Sequence, residues 1–309
     1  MPIVVVGNVF VDIKGFPDSK YIPAGRNAGN VDIVHGGVGR NVVEDIANVE
    51  LRPRFVSMVD DTAEGSEVLH KLNNHKVDTR FVAQVPDGMG MWLAVFDNTG
   101  DIVSSISKRP RMDALLTLLE EKGDEIFADA DSIVIEIDMD KEIIKTVLGF
   151  AEKYQKKVFA VVANMSIASL RRDFLQSTDC FVCNLQEAGI LFADDFEAAT
   201  PEEFGPELVE RLQSARIPSM VVTMGSRGTV YADMDGNYGV APANTVRVRD
   251  TTGAGDAFCA GVAIGLTYGK SMAEACDIGS RLASSVITIS ENTCPRFLPQ
   301  ELGLDVTVE

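Results

Sequence analysis

Residues 250–258 read Asp250-Thr251-Thr252-Gly253-Ala254-Gly255-Asp256-Ala257-Phe258. Three small residues run straight into the nearly unbroken apolar segment from Ala257 to Leu266, a pattern that predicts a turn opening a helix. The first amides of a helix have no intrahelical acceptor and lie at the positive end of its dipole. Small side chains leave those amides uncovered, which makes an anion site. Asp256, in the first turn, would place a general base beside a bound phosphate. The alternative is structural: Gly253 and Gly255 make a tight turn and Asp256 caps the helix.

Outward from this stretch the chain alternates strand and helix. Apolar strand-like runs are expected at Ile3–Val6, Phe55–Val59, Ser132–Ile137, Lys157–Val162, Cys180–Cys183 and Met220–Met224. Helical patterns fall at 64–74, 113–122, 141–154, 167–176, 185–192 and 201–214. That rhythm predicts an α/β protein whose parallel sheet is covered on both faces. Residues 91–97 and 102–107 flank Asn98-Thr99-Gly100 as a hairpin, and a second hairpin joins 228–232 to 238–241 through Asp235-Gly236-Asn237. The stretch 12–35 is too polar for a core and is expected as an exposed β-flap that the first hairpin joins. The simplest partition is one domain over 1–309 carrying a discontinuous β-lid from about 12–35 and 88–108.

Ligands of open α/β sheets bind beyond the carboxyl ends of the strands, so turns directly after apolar runs bear on function. Thr223-Met224-Gly225-Ser226-Arg227-Gly228 is either a place for a nucleotide to approach the backbone or a plain turn. Asn184-Leu185-Gln186-Glu187 sets an amide and a carboxylate on one helical face. Those groups suit a hydrated magnesium ion, or a capping box, and the two roles are compatible. Gly36-Gly37-Val38-Gly39-Arg40-Asn41 precedes another helical pattern; its glycines would hinge the flap, and Arg40 and Asn41 would donate to substrate hydroxyls.

Composition narrows the partners. The net charge of −18 argues against a nucleic-acid backbone, which needs concentrated Lys and Arg, but leaves a nucleotide ligand open. No apolar run approaches the roughly 20 residues of a membrane helix, and the first residues read as a strand rather than a signal. Five cysteines, an odd count, favour free thiols and a cytoplasmic setting. Cys180-x-x-Cys183 is half of a metal site, a redox pair or simply core.

Together, Gly36-Gly37 with Asn41, Asn184 to Glu187, Thr223-x-Gly225-x-x-Gly228 and Asp250 to Asp256 resemble, in order and over nearly the whole chain, the four markers of the ribokinase-like (PfkB) carbohydrate kinases. No G-x-x-x-x-G-K-[ST] loop is present. The resemblance implies a three-layer α/β/α domain with a largely parallel central sheet and a small β-sheet lid. It further implies that Asp256 deprotonates the hydroxyl attacking the γ-phosphate of ATP, with the amides of Gly253, Ala254 and Gly255 as anion hole. Asn184, Thr223, Gly225 and Gly228 would line the nucleotide site, and Glu187, with Asn184, would hold Mg2+ through water. Asp250 and the Thr252 carbonyl match the family's monovalent-cation site, potassium where one is used.

Asp12 matches the family aspartate that accepts sugar hydroxyls, with a strand-end turn as its alternative role, and Gly36, Gly37, Arg40 and Asn41 complete the substrate markers. Phe10 stands where ribokinases have asparagine, Val38 where they have lysine, and Asn164 where many relatives have aspartate. The string 36–41 is most similar to the pseudouridine kinase branch, where Phe10 would meet a base or else pack under the flap. The expected activity is transfer of the ATP γ-phosphate to a sugar or ribonucleoside hydroxyl, pseudouridine first. A ribokinase- or fructokinase-like sugar kinase is the alternative, and a non-catalytic nucleoside-binding protein is the reading from another class. Lid residues such as Tyr21, Ile22, Trp92 and Val95 are candidates for pairing two copies.

Overall fold

Two sheets organise residues 2–306, the part of the chain described by this computed structural model. The larger has nine strands in the order β13-β12-β11-β10-β9-β8-β1-β4-β5. Within it β1 (Ile3–Val6) is flanked in parallel by β8 (Ser132–Glu136) and β4 (Arg54–Asp60). All four residues of β1 are buried, as an all-apolar run requires when helices cover both faces of a sheet. β9 (Lys157–Val161), β10 (Cys180–Asn184) and β11 (Ser219–Thr223) continue the parallel order beyond β8. β12 (Thr229–Asp233) then pairs antiparallel with β11, and β13 (Tyr238–Ala241) with β12.

On one face lie α3 (Asp113–Phe127), α4 (Lys141–Tyr154), α7 (Leu185–Phe192) and α8 (Pro201–Ala215), whose apolar sides share a core with Ile133, Ile135 and Val222. The other face carries α1 (Val38–Asn48), α2 (Ala63–Asn74), α9 (Ala254–Thr267) and α10 (Met272–Val286), packed with Val5, Phe55 and Val134. Every residue of α9 from Ala257 to Gly265 is buried, which explains its apolar character all round. Its close approach to α10 depends on glycine: a Cβ at Gly261 would stand 2.5 Å from the Gly279 Cα. This packing fixes the helix whose first turn carries Asp256.

The second sheet has the order β3-β2-β6-β7, from β2 (Phe10–Pro17), β3 (Gly29–Gly36), β6 (Gly90–Phe96) and β7 (Ile102–Lys108). Cross-strand register sorts its faces. Val34, Asp12, Trp92 and Ser107 align in one transverse row and Ile33, Ile13, Leu93 and Ile106 in the next. Period-two alternation sends these rows to opposite faces; the first faces the large sheet, and Ile33, Leu93 and Ile106 are solvent-exposed. Trp92, expected among exposed lid residues, therefore turns inward.

Two segments differ from the sequence expectation. β5 (Asp78–Val85), unforeseen, adds a parallel edge strand beside β4; most of its residues are only partly buried, so it lacks the continuous apolar run of the central strands. Residues 167–176, expected as one helix, divide into α5 (Met165–Ala168), a 3-10 turn at Ser169–Arg171 and α6 (Arg172–Leu175). Arg171 leaves helical geometry, with ψ at 36°, where the chain turns to bury Phe174 and Leu175. All five cysteines are free and buried, and among the described residues no helix is long and apolar enough to cross a membrane.

Candidate active site

The chain runs from β1 outward to β4 and β5, then returns to β8 on the other side of β1, so the strand order reverses between β1 and β8. Such a reversal opens a crevice at the carboxyl ends of the strands. Here the lid roofs it, enclosing a cavity of about 520 Å³. Asp256 and Gly253 lie at its base, Phe10, Asp12 and Trp92 on the lid side, and Asn41 on α1.

Asp256 is partly buried at the start of α9 and accepts a hydrogen bond from Asn41 Nδ2 at 2.7 Å. Removal from water pushes its carboxyl up to about 7, reinforced by the charges of Glu187 and Asp12 and opposed by Asn41 and Arg40. A carboxylate with that value can take a proton near neutral pH. Asn41 Oδ1 is buried with no partner among the described residues. Asp12 is likewise held above the usual carboxylate range by desolvation, partly offset by Lys14 and Arg40. Gly36 is glycine because a Cβ there would stand 2.5 Å from Asp12 Oδ2. Gly37, at φ 98°, occupies the left-handed region as N-cap of α1.

The residues expected to form the anion hole make a tight turn. Gly253, at φ 81°, is the N-cap of α9, and the Asn292 carbonyl occupies the space of a side chain there. The Ala254 amide, expected to face a phosphate, instead donates to the Thr251 carbonyl at 3.2 Å. The first-turn amides without an acceptor among the described residues are those of Gly255 and Asp256. Gly255 faces open space and also lines a neighbouring pocket of about 430 Å³ with Thr223, Gly225, Gly228, Phe258 and Ile287. The two cavities thus meet at the start of α9.

Asn184 and Glu187 form the capping box of α7: the Asn184 side chain accepts from the Glu187 amide at 2.9 Å, and Glu187 Oε2 from the Asn184 amide at 2.7 Å. Burial and the Asp138 charge raise the Glu187 carboxyl. Among the described residues no cluster of three or more side chains is built to hold a metal, so a divalent ion fits here only if phosphate and water supply most of its ligands. Asp250 Oδ1 accepts from the Thr252 amide and hydroxyl, each at 2.9 Å, closing the loop proposed for a monovalent cation.

Arg40 is not where the sequence expectation put it. It is 2% exposed, bonds Glu44 at 2.5 Å, and donates to the His35 carbonyl and to Asn292 Oδ1. Arg40, in the first turn of α1, is committed to protein acceptors rather than open to a substrate hydroxyl, and its charge lowers both Asp12 and Asp256.

Glu136, Asp138 and Arg109 are among the cavity residues that the sequence did not single out. Glu136, at the end of β8 and 1% exposed, accepts from the Asn8 amide and side chain at 2.9 and 2.6 Å and from the Gly39 amide at 2.7 Å. Desolvation and Asp138 raise it strongly. Asp138, two residues on and 2% exposed, pairs with Arg109 at 2.9 Å. The signal was an apolar strand ending in Glu136-Ile137-Asp138, acids at the carboxyl end of a central strand.

The family model for the pfkB family of carbohydrate kinases matches residues 2–295. The guanosine-inosine kinase of Exiguobacterium acetylicum is 34% identical over 292 residues, covering 94% of this chain and 95% of that protein. The pseudouridine kinase of Escherichia coli (strain K12) is 24% identical over 294 residues, with 95% and 92% covered. Among solved structures, Arabidopsis thaliana ribokinase complexed with ribose and ATP superposes with a TM-score of 0.82 over 99% of both chains at 21% identity, a likeness of fold. The chain belongs to the pfkB family of carbohydrate kinases, and is a carbohydrate or nucleoside kinase.

Proposed function

We propose that the protein transfers the γ-phosphate of ATP to a ribonucleoside, with guanosine or inosine as the leading acceptor. The observation that carries this is the chemistry of the 520 Å³ cavity. Its ionisable lining comprises Asp12, Glu136, Asp138, Asp140 and Asp256 against Arg109 alone, an excess of acids that disfavours sugar phosphates and acid sugars and accepts a neutral polyol. Phe10 and Trp92 add aromatic surface beyond the hydroxyl acceptors, and the volume lies in the range of drug-sized ligands. The greater identity to guanosine-inosine kinase supports a 6-oxopurine; pseudouridine, expected first from residues 36–41, is the second reading.

In this mechanism Asp12 accepts the vicinal ribose hydroxyls, leaving the primary hydroxyl beside Asp256, whose carboxyl Asn41 Nδ2 orients. Asp256 takes its proton as that oxygen forms a bond to the γ-phosphorus and the bond to ADP breaks, with the protonated carboxyl later losing its proton to water. The amides of Gly255 and Asp256 face the charge on the transferring group. ATP would lie against Thr223, Gly225 and Gly228. Magnesium bound to its phosphates would be oriented through water by Glu187, and Asp250 with the Thr252 carbonyl would bind a monovalent cation.

The test is ADP release with ATP and magnesium on a panel of inosine, guanosine, pseudouridine, adenosine, ribose and fructose, with and without potassium. Inosine or guanosine should give the highest kcat/KM. A preference for free sugars would refute the nucleoside reading, and tight binding without turnover would mark a non-catalytic binding protein. The exposed row Ile33, Leu93 and Ile106 is the natural face for a second copy's lid, since such apolar strand surfaces pair readily. Light scattering at micromolar concentration should report a dimer that Ile106→Asp converts to a monomer.

A further inference from the structure

We infer that Arg109, held by the buried carboxylate of Asp138, reads the base of the nucleoside and selects a 6-oxopurine over a 6-aminopurine; this rests on the nucleoside reading above. Arg109 follows directly on β7, where the lid returns to the body of the molecule, and is the only cation lining the substrate cavity among the described residues. Its guanidinium is fixed along one edge. Nη2 donates to Asp138 Oδ2 at 2.9 Å and Nη1 to the Asp138 carbonyl at 3.2 Å. Asp138 is itself immobilised, being 2% exposed with Oδ1 accepting from the Ala163 amide at 2.9 Å. A buried carboxylate so satisfied removes the conformational freedom of the arginine it holds, and the remaining N–H groups are left as a rigid planar fork.

The fork's neighbours suggest what it meets. Trp92, Ser105 and Ser107 line the same cavity from the lid, and Asn164 from beyond β9. With the ribose at Asp12 and Asn41, the remaining volume beside Trp92 and Arg109 is where a base would extend. Two adjacent acceptors are the natural complement of an arginine fork, and a 6-oxopurine presents them as O6 and N7. Adenine places an amino donor in the O6 position, donor against donor. A uracil ring attached through carbon offers no such adjacent pair. An anionic group is a poor alternative, because Asp138 already neutralises Arg109 and Asp140 lines the cavity beside them.

The experiment compares kcat/KM for inosine, 7-deazainosine, adenosine, pseudouridine and ribose in the wild-type enzyme and in Arg109→Met. A good bidentate arginine–purine contact corresponds to roughly 10- to 100-fold discrimination. The wild type should prefer inosine to adenosine by that order, and replacing N7 by carbon should lower kcat/KM by about tenfold, mainly through KM. In Arg109→Met the inosine-to-adenosine ratio should fall by about tenfold or more, and the 7-deaza substitution should have no further effect. Asp138→Asn should weaken the same discrimination, since Asp138 acts by positioning Arg109. A wild-type preference for adenosine or pseudouridine, or an equal loss on every nucleoside in Arg109→Met, overturns the inference while leaving the nucleoside reading intact. Absence of turnover on all nucleosides with turnover on ribose overturns both. The 7-deazainosine comparison in the wild type decides the matter even if a variant fails to fold.

Discussion

Asp256→Asn should make the protein more stable and nearly inactive, with the stability gain growing as pH rises from about 4 to 7. The ordinary aspartate value is 3.8 and desolvation, with Glu187 and Asp12, carries Asp256 to about 7. Each pH unit corresponds to about 1.4 kcal/mol, so holding this carboxyl ionised costs the folded state roughly 4 kcal/mol, an upper bound because the side chain keeps some contact with water. The sign follows from proton binding. Between about pH 4 and 7 the folded chain binds this proton and the unfolded chain does not, so the group's contribution to stability falls as pH rises through that window. Asparagine removes the charge and can still accept from Asn41 Nδ2, whose donor now reaches Asp256 Oδ2 at 2.7 Å. Urea unfolding of both proteins at pH 5 and 8.5 should give the variant about 1–4 kcal/mol more stability at pH 8.5 and a gain roughly one-third as large at pH 5. Removing the general base should lower kcat by on the order of 10²- to 10⁴-fold with ATP affinity within a few fold. Equal or lower stability of the variant at pH 8.5 would refute the claim that a desolvated charge is maintained there, and unchanged kcat would reduce Asp256 to a helix-start residue.

Other consequences are as direct. Wild-type kcat/KM should rise with pH through about 7 as Asp256 ionises, and a flat profile from pH 6 to 8 would argue for another base. Gly36→Ala should raise KM for the acceptor at least tenfold with a small change in Tm, because its methyl group would displace the Asp12 carboxylate. Gly253→Ala should lower stability by more than about 2 kcal/mol, since it combines strain at φ 81° with collision against the Asn292 carbonyl; a Tm within a degree of wild type would contradict the geometry. Glu187→Gln keeps an acceptor for the capping amide, so stability should hold while the magnesium concentration for half-maximal rate rises about tenfold.

Much of the architecture was legible because its determinants are local. An all-apolar Ile3–Val6 declares a strand buried on both faces, and Asn184 with Glu187 declares a helix start whatever else binds there. Edge strand β5 was less legible because partial exposure dilutes its pattern, and the break at Arg171 because it answers to tertiary burial of Phe174 and Leu175. The site divides the same way. Glycines at 36, 37 and 253 mark close approaches and turns that no other residue fills, so residue type alone locates them. What lies opposite each is a matter of the fold.

The sequence by itself determined the parallel α/β order, the helix start at Gly253–Asp256 and the acidity that leaves only small ligands in view, since each follows from periodicity, backbone freedom or composition. Tertiary structure alone decided that Asn41, 215 residues away, donates to Asp256, that Arg40 turns to Glu44, and that Glu136 and Asp138, at and just past the end of β8, line the same cavity as Asp256. It also set Trp92 inward and Ile33, Leu93 and Ile106 outward, through the register of four lid strands. The physical reason is that charge, burial and hydrogen bonding depend on distance in space, and the chain brings those residues together only when β1 pairs with β8 and α9 packs against their sheet.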